Sequence, residues 1–123
     1  MLNMLPTNDK KLLDKLSYEI FAKPFQGDIG YVFYENDEAV GFARLEVGDT
    51  STIIEVGVLN EHRKKGLGDF FTRSILFRLS QISRYIRIGY KSSYYLPMGF
   101  DYDEDGMKIA AGKLVFPHNC KHC

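Results

Sequence analysis

Cysteine is scarce: the chain has two, Cys120 and Cys123, both at its end, so no disulfide framework staples the fold and a reducing cytoplasm is the expected setting. Long apolar runs are missing as well. Nothing approaches the ~20 residues that a bilayer-spanning helix needs, and Met1–Lys11 does not pass from a basic to an apolar segment, so neither a membrane span nor an export signal is expected. Net charge is also absent. Sixteen Lys and Arg balance sixteen Asp and Glu, which argues against a nucleic-acid binder working by bulk counterion release. No internal repeat, linker or low-complexity segment interrupts the chain.

What is present suits one domain. The chain's 123 residues, 45% hydrophobic and 14% aromatic, can bury enough apolar surface to offset chain entropy. The expectation is a single domain over residues 1–123, with 117–123 a flexible tail. Its neutral total conceals an uneven distribution. Residues 61–95 hold eight basic and two acidic side chains, an excess of six positive charges that the remainder offsets. A solvated helix face would explain that stretch, and so would a polyanionic small ligand.

Pro6-Thr7-Asn8-Asp9 reads as a helix start, and Leu12, Leu13, Leu16 and Ile20 then recur on one helical face, with an end expected before Pro24. β-formers follow in Gly30–Tyr34 and Ala39–Leu45, a hairpin around the polar cluster Glu35–Glu38. A third strand spans Thr52–Val58. Strict alternation would put Ile54, Val56 and Val58 on one face and Ile53, Glu55 and Gly57 on the other. Leu67, Phe71, Ile75, Leu79 and Ile82 then form a helical stripe broad enough to pack on a sheet. Tyr85–Ile88 and Met107–Phe116 complete the strands, Gly112 weakening the last. Helix, three strands, helix, strand, strand is a mixed α/β order, and its crossover is expected to set Ile54–Val58 parallel to Tyr85–Ile88.

The basic stretch opens that crossover. Arg63-Lys64-Lys65-Gly66-Leu67-Gly68 lies where a helix begins, with amides lacking intrahelical partners and the positive end of the helix dipole. Gly66 and Gly68 remove side chains that would hold a phosphate away, and Arg63, Lys64 and Lys65 add cations. The arrangement suits a pyrophosphate. Neither the dinucleotide G-x-G-x-x-G nor the G-x-x-x-x-G-K-[ST] loop is present, so the two familiar nucleotide-binding readings fail.

The run from Val56 to Gly68 resembles the acyl-CoA motif V-x-P-x-x-R-x-x-G-x-G of the GNAT family of N-acetyltransferases, matching at Val58, Arg63, Gly66, Leu67 and Gly68. Further on, Tyr95-Leu-Pro-Met-Gly-Phe100 is similar to that family's second signature, Y-x-x-x-G-F. The resemblance covers most of the chain and implies a GNAT fold, an α+β domain with a central mixed, mostly antiparallel sheet flanked by helices. It implies acetyl-CoA as co-substrate: Arg63 to Gly68 would hold its pyrophosphate, and the backbones of Val56 and Val58 would pair with its pantetheine arm. The strands around the thioester would splay. The partner would be a primary amine on a small molecule or peptide, with no nucleic acid or membrane involved and room for a homodimer.

Asn60 stands where that pattern has proline. Asp69 sits near the phosphate, where it would repel the anion or cap the helix. The segment between Ile88 and Tyr95 is too short for the helix usual there, and the N-terminus shows no clear first strand. These departures motivate a second reading, a non-catalytic acyl-CoA-binding module.

Amide formation needs a base for the ammonium and an acid for the departing thiolate. Tyr95 matches the acid position, with Tyr94 next to it as a substitute and Phe100 beside them to wall an acyl pocket; simple aromatic packing is the other reading of Tyr95. Glu55, the lone carboxylate inside its strand, would be a base or an ion-paired strand residue. His62 is expected on the surface. Ser92 and Ser93 lack partners for a triad. Asp101, Asp103, Glu104 and Asp105 read as a solvated turn or as an attractor of cationic amines. His118, Cys120, His122 and Cys123 offer zinc-type ligands, yet their placement suits a frayed tail, and no metal is assigned.

Overall fold

A computed structural model describes residues 1–117, so the His118–Cys123 cluster lies outside the described residues. One seven-stranded sheet runs in the order β1-β2-β3-β4-β5-β7-β6. Its strands are β1 (Leu2–Thr7), β2 (Gly30–Glu35), β3 (Glu38–Glu46), β4 (Thr50–Val58), β5 (Tyr85–Ile88), β6 (Asp101–Tyr102) and β7 (Met107–Ala110). Every neighbouring pair is antiparallel except β4 and β5. Helix α1 (Lys10–Phe21) covers one face and α2 (Leu67–Ile82) the other, giving the mixed, mostly antiparallel sheet between helices that the sequence implies. Among the described residues, no helix is long and apolar enough to cross a membrane.

Local chemistry places these elements. Asp9 caps α1 by accepting from the Leu12 amide at 3.2 Å, and the helix stops at Ala22 in the left-handed region, two residues before Pro24. Leu13 and Leu16 of α1 bury against Phe25, Val32 and Phe42. The β2–β3 turn falls on Asn36 and Asp37, whose φ values of 50° and 70° match the positive pair that a two-residue hairpin of natural twist requires. On the opposite face Leu67, Phe71, Ile75 and Leu79 form the expected stripe, joined by Leu76; Phe71 stacks flat on Phe33 with centroids 4.3 Å apart. Ile82, expected to close that stripe, is exposed at the helix end.

Four expectations need correction. A first strand does exist: Leu2–Thr7 pairs antiparallel with β2, so the meander has four strands, not three. Its Pro6 and lack of alternation hide it, and both are tolerated because the strand is an edge. Strict alternation in β4 also fails. Arg44 pairs with Glu55 but Leu45 pairs with Ile53, so Ile54 is an extra residue, a bulge. The bulge swings Ile53, Val56 and Val58 onto the α2 face together. Third, β5 pairs with Thr50–Ile53, not with Ile54–Val58. Finally, β7 ends at Ala110, where a 3₁₀ turn over Ala111–Lys113 replaces the rest of the expected strand. Of the expected tail only Pro117 is described, its carbonyl accepting from Arg73 at 3.3 Å.

The Phe33–Phe71 stack joins sheet to helix with both rings fully buried, so Phe33→Ala is expected to cost about 3–5 kcal/mol. Urea denaturation should show a lower midpoint with the slope retained.

Candidate functional site

The bulge and the parting of β4 from β5 create the site. The last link between the two strands is the Gly89 amide to the Ile53 carbonyl at 2.8 Å; beyond it Ile54–Val58 pairs only with β3 among the described residues. The Leu59 amide donates to the Val40 carbonyl at 2.7 Å, which makes Gly41/Val58 a non-hydrogen-bonded pair. Val58 therefore directs its own N–H and C=O away from β3, and Val56, two residues back, does the same. A cleft of about 360 Å³ opens along this edge, lined by Val56–Val58 on one side and by Arg63, Gly66, Gly68, Asp69 and Thr72 at the α2 end. Tyr90, Ser92, Tyr94 and Tyr95 form its other wall.

At the α2 end, a 3₁₀ turn over Asn60–Lys65 leads into Gly66, whose φ of 74° calls for glycine. Among the described residues, no side chain caps the helix. Gly68 has no such backbone reason to be glycine, and a Cβ built there would meet only Val58 Cγ2, at 3.8 Å. The protein leaves that space empty at a helix start with unclaimed amides, a fit for an anionic group drawn close to the backbone. Arg63 supplies charge, its Nε donating to the Val58 carbonyl at 3.0 Å. A carbonyl has a second lone pair, so the edge stays open to a further donor.

Among the described side chains, Lys65 does not converge here as expected. It turns away to Glu35 at 3.1 Å, and Leu67 buries its side chain in the core, so only the Leu67 backbone is available to the corner. The Lys64 side chain lies outside the described residues. His62, expected on the surface, is buried and sits 3.5 Å from Glu35 and 3.4 Å from Glu38, holding the 3₁₀ turn against the β2–β3 hairpin. Asp69 does not cap α2. Its carboxylate accepts from Arg73 at 2.9 and 3.1 Å and from the Tyr94 hydroxyl. Burial would push that carboxyl up, but the hydrogen bonds from Tyr94 and Arg73 outweigh it and hold Asp69 below the usual carboxylate range. The anion beside the corner is thus largely neutralised.

The tyrosines sit where the strands part. The Ser92 hydroxyl accepts from the Tyr94 amide and starts a 3₁₀ helix over Ser93–Met98, which takes the place of a full helix in the short connection. Tyr95 is 2% exposed, packed edge-on against Tyr90, Tyr94 and Phe100, with its hydroxyl 2.6 Å from that of Tyr90. Burial pushes the Tyr95 phenol strongly up, and the Tyr90 and Tyr94 neighbours add to this. Burial, then the bond to Asp69, raises Tyr94 as well. Phe100 stands behind Tyr95 in the core and does not line the cleft.

Glu55 faces the α1 side, where Lys23 approaches to 3.5 Å and Arg44 to 4.0 Å. It lines a second pocket of about 220 Å³ with Phe21, Lys23 and Ile54, and this pocket meets the cleft at Val56 and Tyr90. In the acidic turn, Asp103 bonds Arg87 at 2.7 Å and the amides of Asp105 and Gly106, a structural role. Tyr90 and Thr72, which also line the cleft, are not singled out by the sequence, and Ser92, weighed there only as a triad nucleophile, lines it too. Tyr90 lies two residues past the end of β5, and because its place on the cleft depends on the β4 bulge, the sequence carries no local signal for it.

No family model matches the chain and no curated protein is similar to it by sequence. Solved structures are similar in fold. The ribosomal-protein-S18-alanine N-acetyltransferase of Escherichia coli superposes with a TM-score of 0.74 at 17% identity, over 98% of this chain and 99% of that one. A GNAT family acetyltransferase of Brucella melitensis in complex with acetyl-CoA gives 0.68 at 14%, over 89% and 88%. Naa50 of Arabidopsis thaliana, in complex with the bisubstrate analogue CoA-Ac-MVNAL, gives 0.64 at 21%, over 84% and 85%. The chain has the GNAT acetyltransferase fold.

Because the Asp69 carboxyl is held low, its contribution to stability is complete above the ordinary carboxylate value of about 4 and is lost as pH falls through its lower folded value. Thermal melts of wild type and Asp69→Asn are expected to differ by a constant amount from neutrality to about pH 5, the gap closing in stronger acid.

Proposed function

We propose that the chain is an acetyl-CoA-dependent N-acetyltransferase that moves the acetyl group directly to a primary amine of a small molecule or peptide. One observation carries the reading: an unfilled glycine corner at a helix start, an unpaired strand edge and a buried tyrosine line a single cleft. The fold supports it, as do the acetyl-CoA and bisubstrate complexes of the similar structures. An S18-alanine acetyltransferase and a CoA-Ac-MVNAL complex among them favour a polypeptide amine as acceptor.

Acetyl-CoA supplies the activated acyl group. The amides of Gly66, Leu67 and Gly68 with the Arg63 guanidinium would hold its diphosphate, Lys64 adding charge from the same turn while Lys65 remains with Glu35. The outward N–H and C=O groups of Val56 and Val58 would hold the amide-bearing arm as an added strand. Tyr95, buried and neutral, donates a proton to sulfur. Phenols and thiols have reference values of about 10 and 8.5, so positioning and not acidity must supply the benefit. Glu55, in the adjoining pocket, receives the proton that the arriving ammonium sheds.

Free-thiol release from acetyl-CoA, screened across polyamines, amino acids, aminoglycosides and peptides, tests the reading. Amine-dependent release is expected, and Tyr95→Phe should lower kcat roughly a hundredfold with CoA affinity retained. Gly68→Ala should do the reverse, weakening CoA about tenfold (roughly 1.4 kcal/mol) without lowering the melting temperature, because the new methyl meets only Val58 Cγ2, at an ordinary contact distance of 3.8 Å. CoA binding without thiol release would favour the binding module, and no CoA binding by the folded protein would overturn both.

A further inference from the structure

The two cavities meet at one polar side chain. Tyr90 lines both the cleft with Tyr95 and the pocket with Glu55. Its hydroxyl lies 2.6 Å from that of Tyr95, the rings edge to face at 5.9 Å, and among the described residues no other group is hydrogen-bonded to the Tyr95 hydroxyl. Tyr95 is all but sealed from solvent, so a proton it gives away has one visible source of replacement.

Resting on the transferase reading above, we propose that Tyr90 is a second catalytic residue, forming with Tyr95 a two-phenol relay that carries the proton from the attacking nitrogen to the departing sulfur. The amine arrives neutral. Its lone pair forms the C–N bond and the C–S bond breaks with its electron pair on sulfur. The Tyr95 proton passes to sulfur, the Tyr90 proton to the Tyr95 oxygen, and the surplus proton on nitrogen to the Tyr90 oxygen. One proton leaves nitrogen and one reaches sulfur, both phenols end neutral, and no further reactant is required.

Geometry favours the pair over a lone acid. Nitrogen and sulfur on one tetrahedral carbon are roughly 3 Å apart by ordinary covalent dimensions, close to the separation of the two phenol oxygens, so the four atoms can close one ring of hydrogen bonds. A lone Tyr95 would be left as a buried phenolate. Burial opposes that form in both residues, only partly offset at Tyr90 by its bond to Tyr95, so a concerted shift that never accumulates phenolate is the favourable route. The other ionisable groups lining these walls are Glu55 and Lys23 on the pocket side and Arg63, Asp69 and Tyr94 on the cleft side.

Two measurements on the intact chain test the relay. With the best amine of the thiol-release screen, wild type should give a bowed proton inventory for kcat in mixed H₂O/D₂O. Tyr90→Phe should lower kcat roughly tenfold to a hundredfold, leave CoA affinity within about twofold and make the inventory linear. An undiminished kcat or an unchanged inventory in that variant overturns the proposal. In ligand-free protein carrying ¹³Cζ-tyrosine, the Cζ chemical shifts at neutral pH read the hydroxyl–hydroxyl coupling without any activity. Removing either hydroxyl (Tyr90→Phe or Tyr95→Phe) should move the Cζ signal of the other. If each substitution deletes its own signal and leaves the other in place, the relay fails even where acetylation succeeds. If coupling is present but wild type binds CoA and releases no thiol, the transferase reading falls and takes the relay with it.

Discussion

The site depends on one extra residue in a strand. Ile54 interrupts the register between β3 and β4, and from that point β4 no longer follows β5. A continuous sheet would have paired the backbone groups of Val56 and Val58 with a neighbouring strand and left no room between them. The bulge bends the strand and exposes those groups while Ile53, Val56 and Val58 stay together on the α2 face, so the core is not disturbed. Glu55 and Ile54 are turned to the other face, into a separate pocket. A single backbone irregularity thereby makes two chambers with a common wall.

Among the described side chains, four of the basic stretch are ion-paired: Lys65 with Glu35, Arg73 with Asp69, Arg84 with Asp49 and Arg87 with Asp103. Arg63 remains in the cleft, tethered to a strand carbonyl. What the corner itself offers is backbone amides at a helix start and vacant glycine space. Asp69, which looked hostile to a phosphate, is held by Arg73 and Tyr94 and becomes part of the wall.

The aromatic wall follows from a shortened connection. With few residues between β5 and Tyr95, a 3₁₀ helix opened by Ser92 and containing Pro97 carries the tyrosine, and Phe100 backs it in the core. The same compression draws Tyr90 within hydrogen-bond distance of Tyr95. A neutral phenol deep in an aromatic setting is the result.

Much of this was legible in the residues. The α2 stripe, the α1 cap at Asp9, the β2–β3 hairpin and the glycine corner are local patterns, each fixed by side chains within a turn or two of one another, and periodicity exposes them. Edge strand β1 was hidden because partner strands, not its own composition, make it a strand. The bulge at Ile54 was hidden because alternation assumes a perfect register, and only pairing across β3 and β5 reveals the slip. Lys65, His62 and Asp69 found partners far along the chain, which redirected charges that looked free. Sequence by itself determined both helices, the β2–β3 hairpin and the glycine corner, since hydrophobic spacing and glycine act locally. Tertiary structure alone decided which groups face the cleft and that Tyr90 meets Tyr95, because strand register and long-range ion pairs are settled by packing.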